Sequence, residues 1–115
     1  MTIKTEIAIA IFRPHAGRSA DVEELLREHV PTLRRCNYVT ERPAVVLKSR
    51  IDGTYLEIFE WVSAEAVDRA HDDPRVQEIW RALGEAADFA SLDQLQEAGQ
   101  LFPHFDVVDL RTAKQ

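Results

Sequence analysis

Cysteine is almost missing from this chain. Cys36 stands alone among 115 residues, which excludes an internal disulfide and suits a reducing compartment. Glycine is scarce as well: the four present build no Gly-rich phosphate loop, and no Gly-x-Ser-x-Gly elbow occurs. The histidines His15, His29, His71 and His104 are scattered, with no His-x-x-x-His or Cys-x-x-Cys spacing. No metal is expected, because zinc depends on clustered ligands. Long apolar runs are lacking too. The stretch from Ile7 to Phe12 is too short for a membrane span, and Lys4 and Glu6 flank it with no small-residue cleavage pattern behind it, so no signal peptide is read. A cytoplasmic location and no membrane partner are expected. Basic clusters are missing: Arg34-Arg35 is too short a run, and the net charge is −6, which excludes a nucleic-acid partner held through its phosphates.

What is present reads as a single domain over residues 1–115, since a second core would be hard to fill at this length. Residues 5–13 alternate as a strand, with Ile7, Ile9 and Ile11 on one side and Ala8, Ala10 and Phe12 on the other. Both sides are apolar, the mark of a central strand covered twice. A helix follows from Ser19 or Asp21 to Arg35. Asp21 and Glu24 have capping-box spacing, Val22, Leu25, Leu26, Val30 and Leu33 make the apolar stripe, and Pro31 should bend the last turns.

Ala44–Lys48 and Tyr55–Phe59 flank Asp52-Gly53, the dipeptide of a two-residue type I′ hairpin. That turn sets Lys48 opposite Glu57 and Val46 opposite Phe59, and places Tyr55, Glu57, Phe59 and Trp61 on one face. Ser63 caps a short helix, and Asp73-Pro74 starts a second one whose stripe is Val76, Ile79, Trp80, Leu83 and Ala87. Residues 91–95 add a short helical turn, Phe105, Val107 and Val108 a last strand, and Arg111 to Gln115 a frayed tail. The order predicts an α+β ferredoxin-like βαββαβ fold with a four-stranded antiparallel sheet and helices on one face. The other face then meets a second copy, giving a homodimer.

Five side chains are candidates for a site. His29 falls within the apolar stripe of its helix, where a titratable group is either a hydrogen-bonded core histidine, the more economical reading, or a pocket base. His71 closes its helix before Asp72-Asp73-Pro74. It serves there either the negative end of the helix dipole or a pocket rim. Trp61, Trp80 and Tyr55 supply packing area or stacking surface. Glu57 is costly to bury alone, and the hairpin register offers it Lys48. Cys36, at a helix end, reads as an inert thiol.

The run from Tyr55 to Ala66, then Ala70-His71 and Val76 to Trp80, resembles the antibiotic biosynthesis monooxygenase-like family. The resemblance follows element order over nearly the whole chain and implies a dimeric α/β barrel with a ligand cleft between sheet and helices. It also implies oxygenation of phenolic or quinol-type aromatic molecules without metal or flavin, with His29 or His71 as base and Trp61, Trp80 or Tyr55 against the ring. The family's haem-degrading branch uses an Asn, a Trp and a His that align near Ala10, Ala70 and Trp80. None matches, so the resemblance implies no haem, and no cofactor is expected. The alternatives are a non-catalytic homodimeric binding or scaffold protein and an isomerase or lyase using the same cleft. A cleft filled by Trp80 and Leu83 would favour the scaffold.

Overall fold

The computed structural model describes residues 4–111. The chain runs β1 (Glu6–Pro14), α1 (Ser19–Arg35), β2 (Val45–Lys48), β3 (Tyr55–Trp61), α2 (Ala64–His71), α3 (Pro74–Ala86), β4 (Ala87–Ala90) and β5 (Asp106–Val107), with two short 3₁₀ turns between the last two strands. The fold is α+β and ferredoxin-like, as the element order predicts. The sheet is antiparallel in the order β4-β1-β3-β2-β5, so it has five strands rather than the four expected.

The extra strand has a local cause. Ala87 reads as the end of the α3 stripe, yet the helix stops at Ala86 and Ala87 already has extended angles. Residues 87–90 then pair with Ile11–Pro14 of β1 and fill the fourth position of the sheet. The strand expected around Phe105–Val108 becomes β5, a two-residue addition beyond β2.

Ser63 caps α2 by accepting the Ala66 amide at 3.1 Å, and Asp73 caps α3 by accepting the Arg75 amide at 2.9 Å with Pro74 in the first turn. The capping box expected on α1 is absent. The helix starts at Ser19 after Arg18, with no side-chain cap; Asp21 and Glu24 pair instead with Arg18 and Arg27. Pro31 lies inside α1, which continues to Arg35.

The hairpin register differs from the expected one by two residues. Lys48 faces Tyr55 and Val46 faces Glu57. The connection is a four-residue loop, not a two-residue turn. The Ser49 hydroxyl accepts the amides of Ile51 and Asp52, the Gly53 amide reaches the Ser49 carbonyl at 3.1 Å, and Gly53 alone takes a positive φ of 80°. An even shift preserves sidedness, so Tyr55, Glu57, Phe59 and Trp61 share the helix-facing side as read. Lys48 does not pair with Glu57. Its ammonium sits 5.2 Å from the centre of the Tyr55 ring.

The helices cover one sheet face through two apolar clusters. One joins Phe12, Val22, Leu26, Tyr55 and Leu83; the other joins Val30, Leu33, Phe59, Trp61, Ala70 and Val76. The opposite face is covered only in part, where Leu95 packs on Ile11 and Leu56. Beyond that patch, Ile7, Ile9 and Val45 are 55%, 44% and 46% exposed. Ile9, Ile58 and Val45 lie side by side on three adjacent strands. The two-sided apolar pattern of β1 is therefore buried on one side and largely open on the other. Of the expected frayed tail, Arg111 to Gln115, all but Arg111 lies outside the described residues.

Candidate functional site

The site begins with two methyl groups. On its helix-facing side β1 carries Ala8 and Ala10 between Glu6 and Phe12, and Ala10 lies beside Glu57 of β3. The helices therefore leave a gap above this row. A cleft of about 310 Å³ occupies it, walled by Ala10, Phe12, His29, Phe59, Trp61, His71, Trp80 and Phe89. Four of the five candidate side chains, His29, Trp61, His71 and Trp80, thus converge from β3, α1, α2 and α3. Tyr55 does not join them. It is wholly buried on the same strand face, beside Phe12, and its hydroxyl donates to Glu23. Burial, with the Glu23 carboxylate second, pushes the Tyr55 phenol well above its ordinary value.

A polar thread runs behind the cleft. The Trp80 indole donates to His29 Nε2 at 2.8 Å, and His29 Nδ1 meets Glu57 Oε1 at 2.7 Å. An indole N–H can only donate, so Nε2 presents its lone pair and the ring proton sits on Nδ1, donating to the carboxylate. His29 is 3% exposed and Glu57 is fully buried. His29 is thus a hydrogen-bonded core histidine that also forms part of the cleft wall. The partner of Glu57 is His29 across 28 residues, not Lys48 on the neighbouring strand. Only tertiary packing of α1 on the sheet creates that pair. Glu57 Oε2 has no hydrogen-bond partner.

His71 is set differently. As the last residue of α2 it places Nδ1 2.8 Å from the Val67 carbonyl, which can only accept. The proton is therefore on Nδ1, and in the neutral ring Nε2 is an unengaged acceptor. The ring packs edge-on against Trp80 with centroids 4.8 Å apart, while Phe59 stacks edge-on to both His29 and Trp61. The cleft thus combines aromatic walls, one committed imidazole and one open imidazole nitrogen. It is not filled by Trp80 and Leu83: Trp80 forms a wall, and Leu83 is buried in the first cluster.

Sequence reading missed two contributors. Phe89 was hidden in the unrecognised fourth strand, where it packs edge-on to Phe12 at 5.3 Å. Glu57 was noticed but given the wrong partner. Among the described residues no three His, Cys, Asp or Glu side chains gather as a metal site, and no helix is long and apolar enough to cross a membrane.

No protein-family model and no curated protein matches the chain. Solved structures do share its fold. A variant of SnoaB, a cofactor-independent oxygenase from Streptomyces nogalater, superposes with a TM-score of 0.63 at 20% identity, over 75% of this chain and 85% of that one. A second SnoaB structure gives 0.59 at 20% identity, over 77% and 88%. The chain therefore has the fold of a cofactor-independent oxygenase, the fold to which its resemblance to the antibiotic biosynthesis monooxygenase-like family points.

Proposed function

We propose that this protein is a cofactor-independent monooxygenase that oxidises a phenolic or quinol-type aromatic molecule and works as a homodimer. The observation that carries this reading is the open Nε2 of His71 in an apolar cleft walled by Trp61, Trp80, Phe59 and Phe89. A planar ring is held there by stacking, with His71 and Phe89 at the exposed mouth of the cleft. His71 takes the phenol proton. The phenolate passes one electron to dioxygen, and the resulting radical and superoxide join through a new C–O bond. The peroxide takes the proton back from His71. Cleavage of the O–O bond with loss of the ring hydrogen releases water and leaves a quinone, so one oxygen atom enters the product and the substrate supplies the electrons.

His29 is a positioning residue in this scheme. Both of its nitrogens are engaged, and it orients the Trp80 indole against which His71 packs. The test is oxygen uptake with hydroquinones and naphthols. His71→Ala is expected to lower turnover by about 10²–10⁴-fold with the fold intact. Equal turnover in wild type and His71→Ala would remove histidine base catalysis. No uptake by wild type with any of these substrates would instead favour the binding or scaffold protein.

A further inference from the structure

A second, larger cavity lies on the other side of α1. About 500 Å³ of space is enclosed by α1, by β2 with the residues before it, and by the C-terminal segment 107–111. Its walls are apolar: Leu26, Val30, Pro31, Ala44, Val46 and Val108. Its size falls within the range of small-molecule sites. The C-terminal segment is tied over it by the Val108 amide, which donates to the Val46 carbonyl at 2.9 Å. Glu57 also lines this groove. Its Oε1 belongs to His29, and its Oε2 is the buried oxygen without a hydrogen-bond partner.

The geometry points to a second ligand site here, for an apolar molecule carrying one hydroxyl or amine donor that Glu57 Oε2 accepts. The reason for a donor is geometric: the one hydrogen bond to Glu57 reaches Oε1 from His29, and the buried Oε2 faces the groove with none. Buried carboxylates are costly when left so poorly partnered. An anionic ligand is not called for. The cations at the rim have their own partners: Arg27 with Glu24, Arg34 with the carbonyls of Thr40 and Arg42, and Arg111 with Asp109. Groove and cleft thus sit at opposite ends of the Trp80–His29–Glu57 thread, and the groove fills whether or not the cleft oxidises anything.

The experiment is titration of ¹⁵N-labelled protein with 2-naphthol and with 2-methylnaphthalene, a probe of the same shape without the donor. Saturable shifts are expected at the amides of Val45, Val46, Val108 and Leu110, apart from any at Ala10 and His71 that report the cleft. The methyl probe should bind these positions about ten- to a hundredfold more weakly, the cost of leaving a buried acceptor unpaired. In Glu57→Gln an amide oxygen still faces His29 and an NH₂ donor replaces Oε2; 2-naphthol then meets it only as a neutral acceptor through its hydroxyl oxygen, so the difference between the probes should shrink. Absence of saturable shifts at the groove overturns the site. So does equal affinity for the two probes, as an ordered water at Oε2 would produce, or an unchanged preference in Glu57→Gln. Should Glu57→Gln fail to fold, Ala44→Phe fills the groove and leaves the thread untouched; loss of the groove shifts supports the site, and their persistence overturns it.

Discussion

At the scale of single residues, which ring nitrogen of His15, His29 and His71 donates follows from what its neighbours can do. His29 faces a donor and an acceptor, and His71 an acceptor alone. His15 faces two acceptors: Nδ1 meets the Glu85 carbonyl at 3.0 Å and Nε2 meets Asp88 at 2.9 Å. Two acceptors favour the doubly protonated ring, and the Asp88 hydrogen bond, followed by the Glu85 carbonyl, raises the His15 pKa above its ordinary 6.5. A raised folded-state pKa stabilises the fold most when the ring is charged. The contribution of His15 is therefore complete below 6.5 and fades as pH rises through the folded value. His15→Gln should narrow the stability gap to wild type as pH increases. Denaturant melts at about pH 5.5 and about pH 8.5 check this, and an equal gap at both would show that the contact is inconsequential. The contact ties the end of β1 to β4, the strand that brings Phe89 to the cleft.

Among elements, the thread through Glu57, His29 and Trp80 joins β3, α1 and α3. Removing one member strands another. His29→Leu leaves Glu57 buried with no hydrogen bond, and Glu57→Leu leaves the His29 N–H without an acceptor. Each single substitution is expected to destabilise by about 1–3 kcal/mol, whereas the double replacement by leucine should cost much less than their sum. Urea melts of the four-member cycle measure this, and strict additivity would mean that the two groups do not interact. The same contact explains what sequence could and could not disclose. The stripe of α1 flagged His29 as out of place, and alternation along β3 placed Glu57 on the correct face. Their pairing was hidden, because nothing local says which helix covers which row of the sheet. The hairpin shows the converse error. Asp52-Gly53 looks like a complete turn, but the Ser49 hydroxyl draws two more residues into it. β4 was lost because its alanines continue a helical pattern with no glycine or proline to stop it.

For the molecule as a whole, the uncovered sheet face is an unmet demand. The row Ile9–Ile58–Val45, flanked by Ile7, places neighbouring aliphatic side chains of three strands in water. A second copy laid on this face would bury it, and the proposed homodimer rests on that need. Ile9→Arg, at the β1 end of the row, is expected to convert a dimer into a folded monomer at micromolar concentration in sedimentation experiments. A monomeric wild type, or a dimer unchanged by the substitution, would place the interface elsewhere or remove it.

The two methyl groups of Ala8 and Ala10 have a consequence for tolerance to change. A sheet row that holds alanine where its neighbours hold phenylalanine, tyrosine and tryptophan forgoes packing, and the empty space is stability held in reserve. Filling it is the easiest improvement open to this fold. Ala10→Leu, projecting into the cleft, is expected to raise stability by about 0.5–2 kcal/mol in a thermal melt while abolishing uptake of aromatic molecules. A destabilised variant would mean that the gap is already closed by its walls. A more stable variant that still takes up aromatic ligands would move the binding site out of this cleft.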